Sequence, residues 1–275
     1  MSVDSLTLPL RLKARSRKGS LVRSATATFK NWVLRLVQSV LIRFGYGLTE
    51  AGVMKMESGE YGICYPWGSL VYTPWHEEAF QQLYRGVEGR TLCTPDRCYM
   101  VQRFAAHATH LKGQFAECGV YRGATAFLIA DEIRKSGGDR KLHLFDSFQG
   151  MPETDPSRDT LRRGDLGDVD LTDIQEFLKP FPFIEFHPGF IPGTFGSVQR
   201  DRFAFVNIDV DLYQSTLDCL TFFYEQIVPG GIIVCDDYGF LSFKKAARAA
   251  MDDFFRDKPE KPIMLRTSQC LVIKL

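Results

Sequence analysis

From residue 114 onward, short apolar runs rich in β-branched and aromatic residues alternate with stretches whose apolar positions recur every three or four residues. The runs at 114–120, 141–146, 183–187, 203–209 and 231–236 predict strands, and the helical stretches 124–134, 171–177 and 215–226 lie between most of them. Strands alternating with helices imply a parallel sheet covered on both faces. A further helix is predicted at 243–255, followed by strand-like runs at 262–266 and 269–274. Upstream the pattern is less regular. Thr94-Pro95-Asp96 reads as a helix start, with proline at the first helical position and an acid in the first turn, and that helix should run to about residue 110. Residues 49–90 are rich in Gly, Pro and aromatics (Tyr61, Tyr65, Trp67, Tyr72, Trp75) without a clear period, which predicts an irregular aromatic cap or lid. Trp32, Val33, Leu36, Val37, Val40, Leu41 and Phe44 fall on one face of a helix whose other face carries Arg35 and Arg43. The expected organisation is a flexible arm at 1–30, a helical and aromatic cap at 31–110 and an α/β domain at 111–275.

Charge refines that division. The chain of 275 residues has a formal net charge of +1, too even for the broad basic face of a dedicated nucleic-acid binder, so no nucleic-acid partner is expected. Residues 1–50 nevertheless carry nine basic residues against two acidic ones, a charge of +7, which leaves −6 for the rest. The arm is basic, hydroxyl-rich and acid-poor, a composition shared with organelle transit peptides, and no apolar secretory core is present. Seven cysteines without a C-x-x-C pair read as free thiols in a reducing compartment. The expected location is therefore the cytoplasm, with residues 1–44 offering a peripheral contact to the inner membrane surface. The apolar face at 32–44 also offers a surface for a homo-oligomer, a dimer in the first instance.

Two constellations carry chemistry. Glu117-Cys118-Gly119-Val120-Tyr121-Arg122-Gly123 follows the first predicted strand of the α/β pattern and opens a helix, where glycines admit a close ligand and free N–H groups favour a carboxylate or phosphate. Asp146 ends the next strand, where a carboxylate suits the two hydroxyls of a ribose. An adenosine cofactor fits, and the turn lacks the G-x-G-x-x-G spacing of a dinucleotide site. Arg122 is read either as a partner for the carboxylate of a methionine moiety or as a surface residue. The second constellation is acidic: Asp209 and Asp211 at the end of one strand, Asp236 and Asp237 at the end of the next. Four carboxylates at the carboxyl edge of one sheet repel one another unless protonated or held by a cation. Oxygen donors without a nearby His or Cys cluster favour Mg²⁺ over zinc. Among the histidines, His107 and His110 read as surface residues, His143 and His187 as hydrogen-bonded strand residues, and His76 as a candidate substrate contact.

Taken together, the stretches TLCTPDR (91–97), FAECGVYRGA (115–124), LFDSFQGMP (144–152), NIDVDLYQST (207–216) and PGGIIVCDDYG (229–239) resemble, in order, the macrocin O-methyltransferase family. The resemblance implies a class I, Rossmann-like methyltransferase fold with a seven-stranded, mostly parallel, doubly wound sheet, and an activity that transfers a methyl group from S-adenosylmethionine to a sugar hydroxyl with Mg²⁺. It assigns cofactor binding to Glu117, Gly119, Val120, Tyr121, Arg122, Asp146 and Ser147, metal ligation to Asp209, Asp236 and Asp237, and the general base to Asp211. Tyr121 stands where many members have Trp, and Val210 where Gly is common. The acceptor, a small molecule or glycoconjugate, should be read by the aromatic segment, which matches less clearly. A glycosyltransferase using Asp209-Val210-Asp211 as a D-x-D motif, and a catalytically idle membrane-associated scaffold, are the alternative readings.

Overall fold

The computed structural model describes residues 52–55, 61–64 and 70–275. The expected basic arm and the 32–44 helix, with the membrane and dimer roles attached to them, lie outside the described residues. Within the aromatic segment the structure forms regular elements that the sequence pattern had not revealed. Strands β1 (Gly52–Lys55), β2 (Tyr61–Cys64) and β3 (Leu70–Tyr72) make a three-stranded sheet in that order. Each strand has only three or four residues, too short to show a period.

The α/β unit begins with a 3₁₀ turn at Pro74–His76 and helix α1 (Glu78–Arg85), which buries Phe80. Helix α2 (Pro95–Ala108) starts after Thr94 as expected and buries a face of Cys98, Val101, Ala105 and Ala108. The main sheet follows: β4 (Gln114–Cys118), β5 (Leu142–Asp146), β6 (Ile184–Pro188), β7 (Phe203–Ile208), β8 (Ile227–Cys235), β9 (Ile263–Met264) and β10 (Cys270–Ile273). The intervening helices are α3 (Ala124–Ser136), α4 (Leu171–Leu178), α5 (Tyr213–Phe223) and α6 (Ala247–Phe255). The last begins four residues later than its apolar pattern suggests, because the backbone at Ala246 (φ −95°, ψ −109°) is not helical.

Seven strands order as β6-β5-β4-β7-β8-β10-β9, parallel from β6 to β8 and antiparallel where β10 meets β8 and β9. Alternate side chains serve two cores. Phe115, Leu142, Leu144 and Phe205 pack under Ala105, Ile129, Ile133 and Ile174 of α2, α3 and α4, whereas Ala116, Phe145, Val206 and Ile233 pack under Cys219, Phe223, Met251 and Phe255 of α5 and α6. Each fully buried Phe, Leu or Ile contributes about 1.5–3 kcal/mol, so this two-sided burial fixes the register. The chain builds outward from β4 through β5 to β6, then returns to place β7 on the other side of β4. Open α/β sheets bind ligands at that reversal, beyond the carboxyl ends of the strands.

Candidate functional site

At this reversal a cavity of about 420 Å³ opens over the carboxyl ends of β4, β5, β7 and β8. Gly119 lies at its floor with φ +85°, and a Cβ there would overlap the carbonyl of Asp209. The contact is locked from both sides: Asp209 N donates to Cys118 O (2.8 Å) and Gly119 N to Phe145 O (2.9 Å). A residue with a side chain is thus excluded where the turn after β4 meets the turn after β7. Tyr121 follows with φ +50°, and the N-terminus of α3 comes next without a side-chain cap or an acid in its first turn. Ala124 and Thr125 of that turn line the cavity, so uncapped N–H groups and the positive end of a helix dipole favour an anion there.

Asp146 binds this turn into one unit. Its Oδ2 accepts from Val120 N (2.7 Å) and Tyr121 N (3.0 Å), and its Oδ1 accepts from Phe148 N (2.8 Å). Ser147 Oγ donates to Gly150 O (2.7 Å) and accepts from Gln149 N (3.0 Å). Five of the seven residues expected at the cofactor, Gly119, Val120, Tyr121, Asp146 and Ser147, line the cavity. Glu117 and Arg122 are not among the lining residues. Glu117 is wholly buried beneath the turn, where burial pushes its carboxyl up to about 8 against the hydrogen bond from Asn207 Nδ2 (2.9 Å). Arg122 forms an ion pair with Asp168.

The four aspartates all line the same cavity. Asp209, Asp211 and Asp237 can each offer an oxygen within 4.8 Å of the others. Asp211 occupies a left-handed conformation (φ +60°), an uncommon backbone state that here turns the residue after Val210 into the site. Burial pushes Asp211 up to about 7, with the charge of Asp209 adding to it, and pushes Asp237 up to about 9, with Asp211 and Asp236 adding to that. Asp209 is raised well above the carboxylate range by burial and by Asp236 and Asp237. Burial raises Asp236 as well, but Arg97 and Gln269 oppose the shift. Its Oδ2 is ion-paired with Arg97, and its Oδ1 accepts from Gln269 Nε2 (3.0 Å).

Two further residues of this site, Cys93 and Arg97, lie in the TLCTPDR stretch. Arg97, 9% exposed, donates to Asp236 and to Leu92 O (3.0 Å). Burial opposes its charge, but Asp236 and the other anionic groups around it outweigh that cost and hold the guanidinium protonated. Cys93 Sγ lies 3.8 Å from Asp209 Oδ2 and 3.9 Å from Asp236 Oδ2. A hydrogen bond with Cys98, burial and those carboxylates keep the thiol protonated. The signal for both lay in the spacing of TLCTPDR, in which Pro95 starts α2 and thereby aims Arg97 at β8. Leu92, Leu161, Leu166, Phe190, Ile191 and Phe240 supply an apolar wall. His76 is not among the lining residues, and burial lowers its pKa.

The family model described as macrocin-O-methyltransferase (TylF) matches residues 96–265. Among curated proteins, the chain is 29% identical over 160 residues to 8-demethyl-8-(2,3-dimethoxy-alpha-L-rhamnosyl)-tetracenomycin-C 4'-O-methyltransferase of Streptomyces olivaceus, covering 54% of this chain and 59% of that one. It is 29% identical over 141 residues to demethyldecarbamoylnovobiocin O-methyltransferase of Streptomyces niveus, covering 47% and 54%. The chain thus spans between half and three fifths of the length of these curated relatives. Two solved structures share the fold: the O-methyltransferase NovP (TM-score 0.57, 24% identity, 73% of this chain and 91% of that one) and the calicheamicin methyltransferase CalS11 (TM-score 0.57, 15% identity, 73% and 93%).

Proposed function

Because this chain belongs to the macrocin-O-methyltransferase family, we propose that it transfers a methyl group from S-adenosylmethionine to a hydroxyl of a sugar-bearing small molecule or glycoconjugate. The observation that carries this reading is the union, in one cavity, of a glycine turn held by Asp146 and an under-neutralised group of aspartates across the Gly119–Asp209 contact. When bound, S-adenosylmethionine supplies an electrophilic methyl carbon, so that the acceptor oxygen forms a bond to carbon while the broken C–S pair stays on sulfur.

The protein's residues supply the rest. The uncapped start of α3 suits the carboxylate of the methionine moiety, and Asp146, with an acceptor lone pair left on Oδ1, suits a ribose hydroxyl. Alignment of the reacting atoms is worth roughly 7–11 kcal/mol in effective molarity. A neutral sugar hydroxyl must lose its proton, and Asp211, which lines the cavity beside Asp209 and Asp237, is placed to accept it.

The donors also fit Mg²⁺. Asp209 and Asp237 bring hard oxygens within 4.8 Å of each other and of Asp211, in surroundings whose carboxyls are pushed up for want of positive charge. Asp209 and Asp237 would hold the ion. Asp236, the third expected ligand, would join them by exchanging Arg97 for the metal. A divalent cation held there would lower the pKa of a hydroxyl beside Asp211. The glycosyltransferase alternative needs only the D-x-D pair and leaves the glycine turn and Asp146 without a task.

The test is direct. Isothermal calorimetry should show binding of S-adenosylhomocysteine, and incubation with S-adenosylmethionine, Mg²⁺ and a panel of rhamnosides and other deoxysugar glycosides should give a product heavier by one methylene. Binding of nucleotide diphosphates without S-adenosylhomocysteine would reverse the assignment.

A further inference from the structure

Strands β5 and β6 are neighbours at one edge of the main sheet, and their register pairs His143 with Glu185 and Phe145 with His187. Strand alternation therefore puts all four on one face. His143 Nδ1 and His187 Nε2 stand 3.0 Å apart, and Glu185 Oε2 is 3.4 Å from that same His143 nitrogen. One ligand atom from each of the three residues falls within 4.8 Å of the other two. The remaining polar atoms back this arrangement from outside. His187 Nδ1 meets Ser197 Oγ at 3.1 Å, and Lys141 holds the other oxygen of Glu185. His143 is 1% exposed, and its Nε2 is buried without a hydrogen-bond partner, with Asp201 Oδ2 3.7 Å away.

We propose that His143, His187 and Glu185 form a binding site for a divalent ion of the Zn²⁺ type, distinct from the aspartate cluster, with solvent completing the coordination. Two imidazoles facing each other can share only one proton in a hydrogen bond. With an ion between them, both facing nitrogens become ligands, and the protons move to His143 Nε2, toward Asp201, and to His187 Nδ1, toward Ser197. Metal-binding histidines are backed in this way, the far N–H directed to a carboxylate or hydroxyl. Nitrogens 3.0 Å apart are close to the spacing that two Zn–N bonds of about 2.0–2.1 Å require. Imidazole and carboxylate together select Zn²⁺ and its transition-metal neighbours over Mg²⁺. The side chain of Glu185 is 41% exposed, which leaves a path for the ion and for coordinating water.

The site bears on the cavity through one ring. His187 stacks on Phe145 (centroids 4.4 Å apart, 14° between planes), and Phe145 lines the cavity, as do Gly189, Phe190 and Ile191 just beyond His187 in the chain. An ion at this edge would hold the strand that carries part of the cavity wall.

Chelator-treated full-length protein, titrated with Co²⁺ and then Zn²⁺, tests the proposal independently of the methyltransferase reading. Wild type should bind one equivalent of Co²⁺ with the intense visible bands of a low-coordinate nitrogen-containing site, and Zn²⁺ should displace it. His187→Gln and Glu185→Gln should each weaken that binding by about 100-fold or more, and Ser197→Ala by about 10-fold. Asp237→Asn should leave the bands unchanged. Absence of the bands in wild type, their survival at wild-type affinity in Glu185→Gln, or their loss in Asp237→Asn would each overturn the assignment. Should His187→Gln fail to fold by circular dichroism, Glu185→Gln, altered at a partly exposed side chain, decides the matter.

Discussion

Two sets of buried carboxylates in this molecule have opposite fates. Glu260, 3% exposed, accepts from Tyr224 O–H (2.7 Å), Lys274 Nζ (2.9 Å) and Leu275 N–H (3.1 Å). Burial would raise its pKa, but these donors outweigh burial and bring it to about 2. Asp237, 5% exposed, is pushed up to about 9, and Asp211 up to about 7. The aspartates lie deeper among protein atoms than Glu260, which raises them further, but the donors decide the sign of the shift, since only Glu260 gathers enough of them to outweigh burial. Glu260 is saturated by its own fold, whereas three of the four clustered aspartates share too little positive charge, since Arg97 pairs with Asp236. A structural carboxylate completes its own environment, and a functional one leaves room for something the chain does not contain.

The comparison can be broken most sharply at Asp211. Asp211→Asn removes the proposed proton acceptor and should lower kcat by about 10²–10⁴-fold while changing the affinity for S-adenosylhomocysteine little, as read by steady-state kinetics beside calorimetry. A loss confined to cofactor affinity would count against Asp211 as base. On the structural side, Lys274→Met leaves Glu260 without its cation and should destabilise the protein by about 3 kcal/mol, seen as a lower urea midpoint at an unchanged slope. Glu260 also sets a pH window. Its folded pKa of about 2 lies below its ordinary 4.5, so its contribution is complete above pH 4.5 and disappears as pH falls through about 2. Acid unfolding followed by circular dichroism should show wild type exceeding Glu260→Gln in stability above pH 4.5, with the two converging near pH 2. The smallest effect is the most selective. Mg²⁺ should raise the Tm of wild type by a few degrees and leave that of Asp237→Asn unmoved, because it binds only where carboxylates lack donors.

How much of this was legible beforehand follows from what the signals are made of. The alternation of strand and helix from residue 114, the start of α2 after Thr94, and the gathering of Asp209, Asp211, Asp236 and Asp237 at one sheet edge all rest on local periodicity and on strand ends, which a sequence displays directly. The partners of those groups come from distant segments. Arg97 reaches Asp236 across 139 residues, Gln269 reaches it across 33, and Asn207 reaches Glu117 across 90, so no window of sequence contains both ends. Arg122 was ambiguous for the same reason, its ion-pair partner Asp168 lying 46 residues away. The strands of the 52–72 sheet escaped because three or four residues cannot establish alternation.

The absence of a side chain at Gly119 has a consequence for anyone wishing to redirect this protein toward new molecules. The turn after β4 and the turn after β7 meet there backbone to backbone, so neither can be lengthened, rotated or enlarged without carrying the other along. That junction is effectively a fixed hinge pin of the architecture, inherited whole or not at all. Variation has freedom only around the rim, at Leu92, Leu161, Leu166, Phe190 and Phe240, which come from four separate connections and touch neither turn's hydrogen bonds. A library restricted to those five positions should yield folded proteins with altered acceptor preference, whereas one that includes residue 119 should be depleted of every member except glycine.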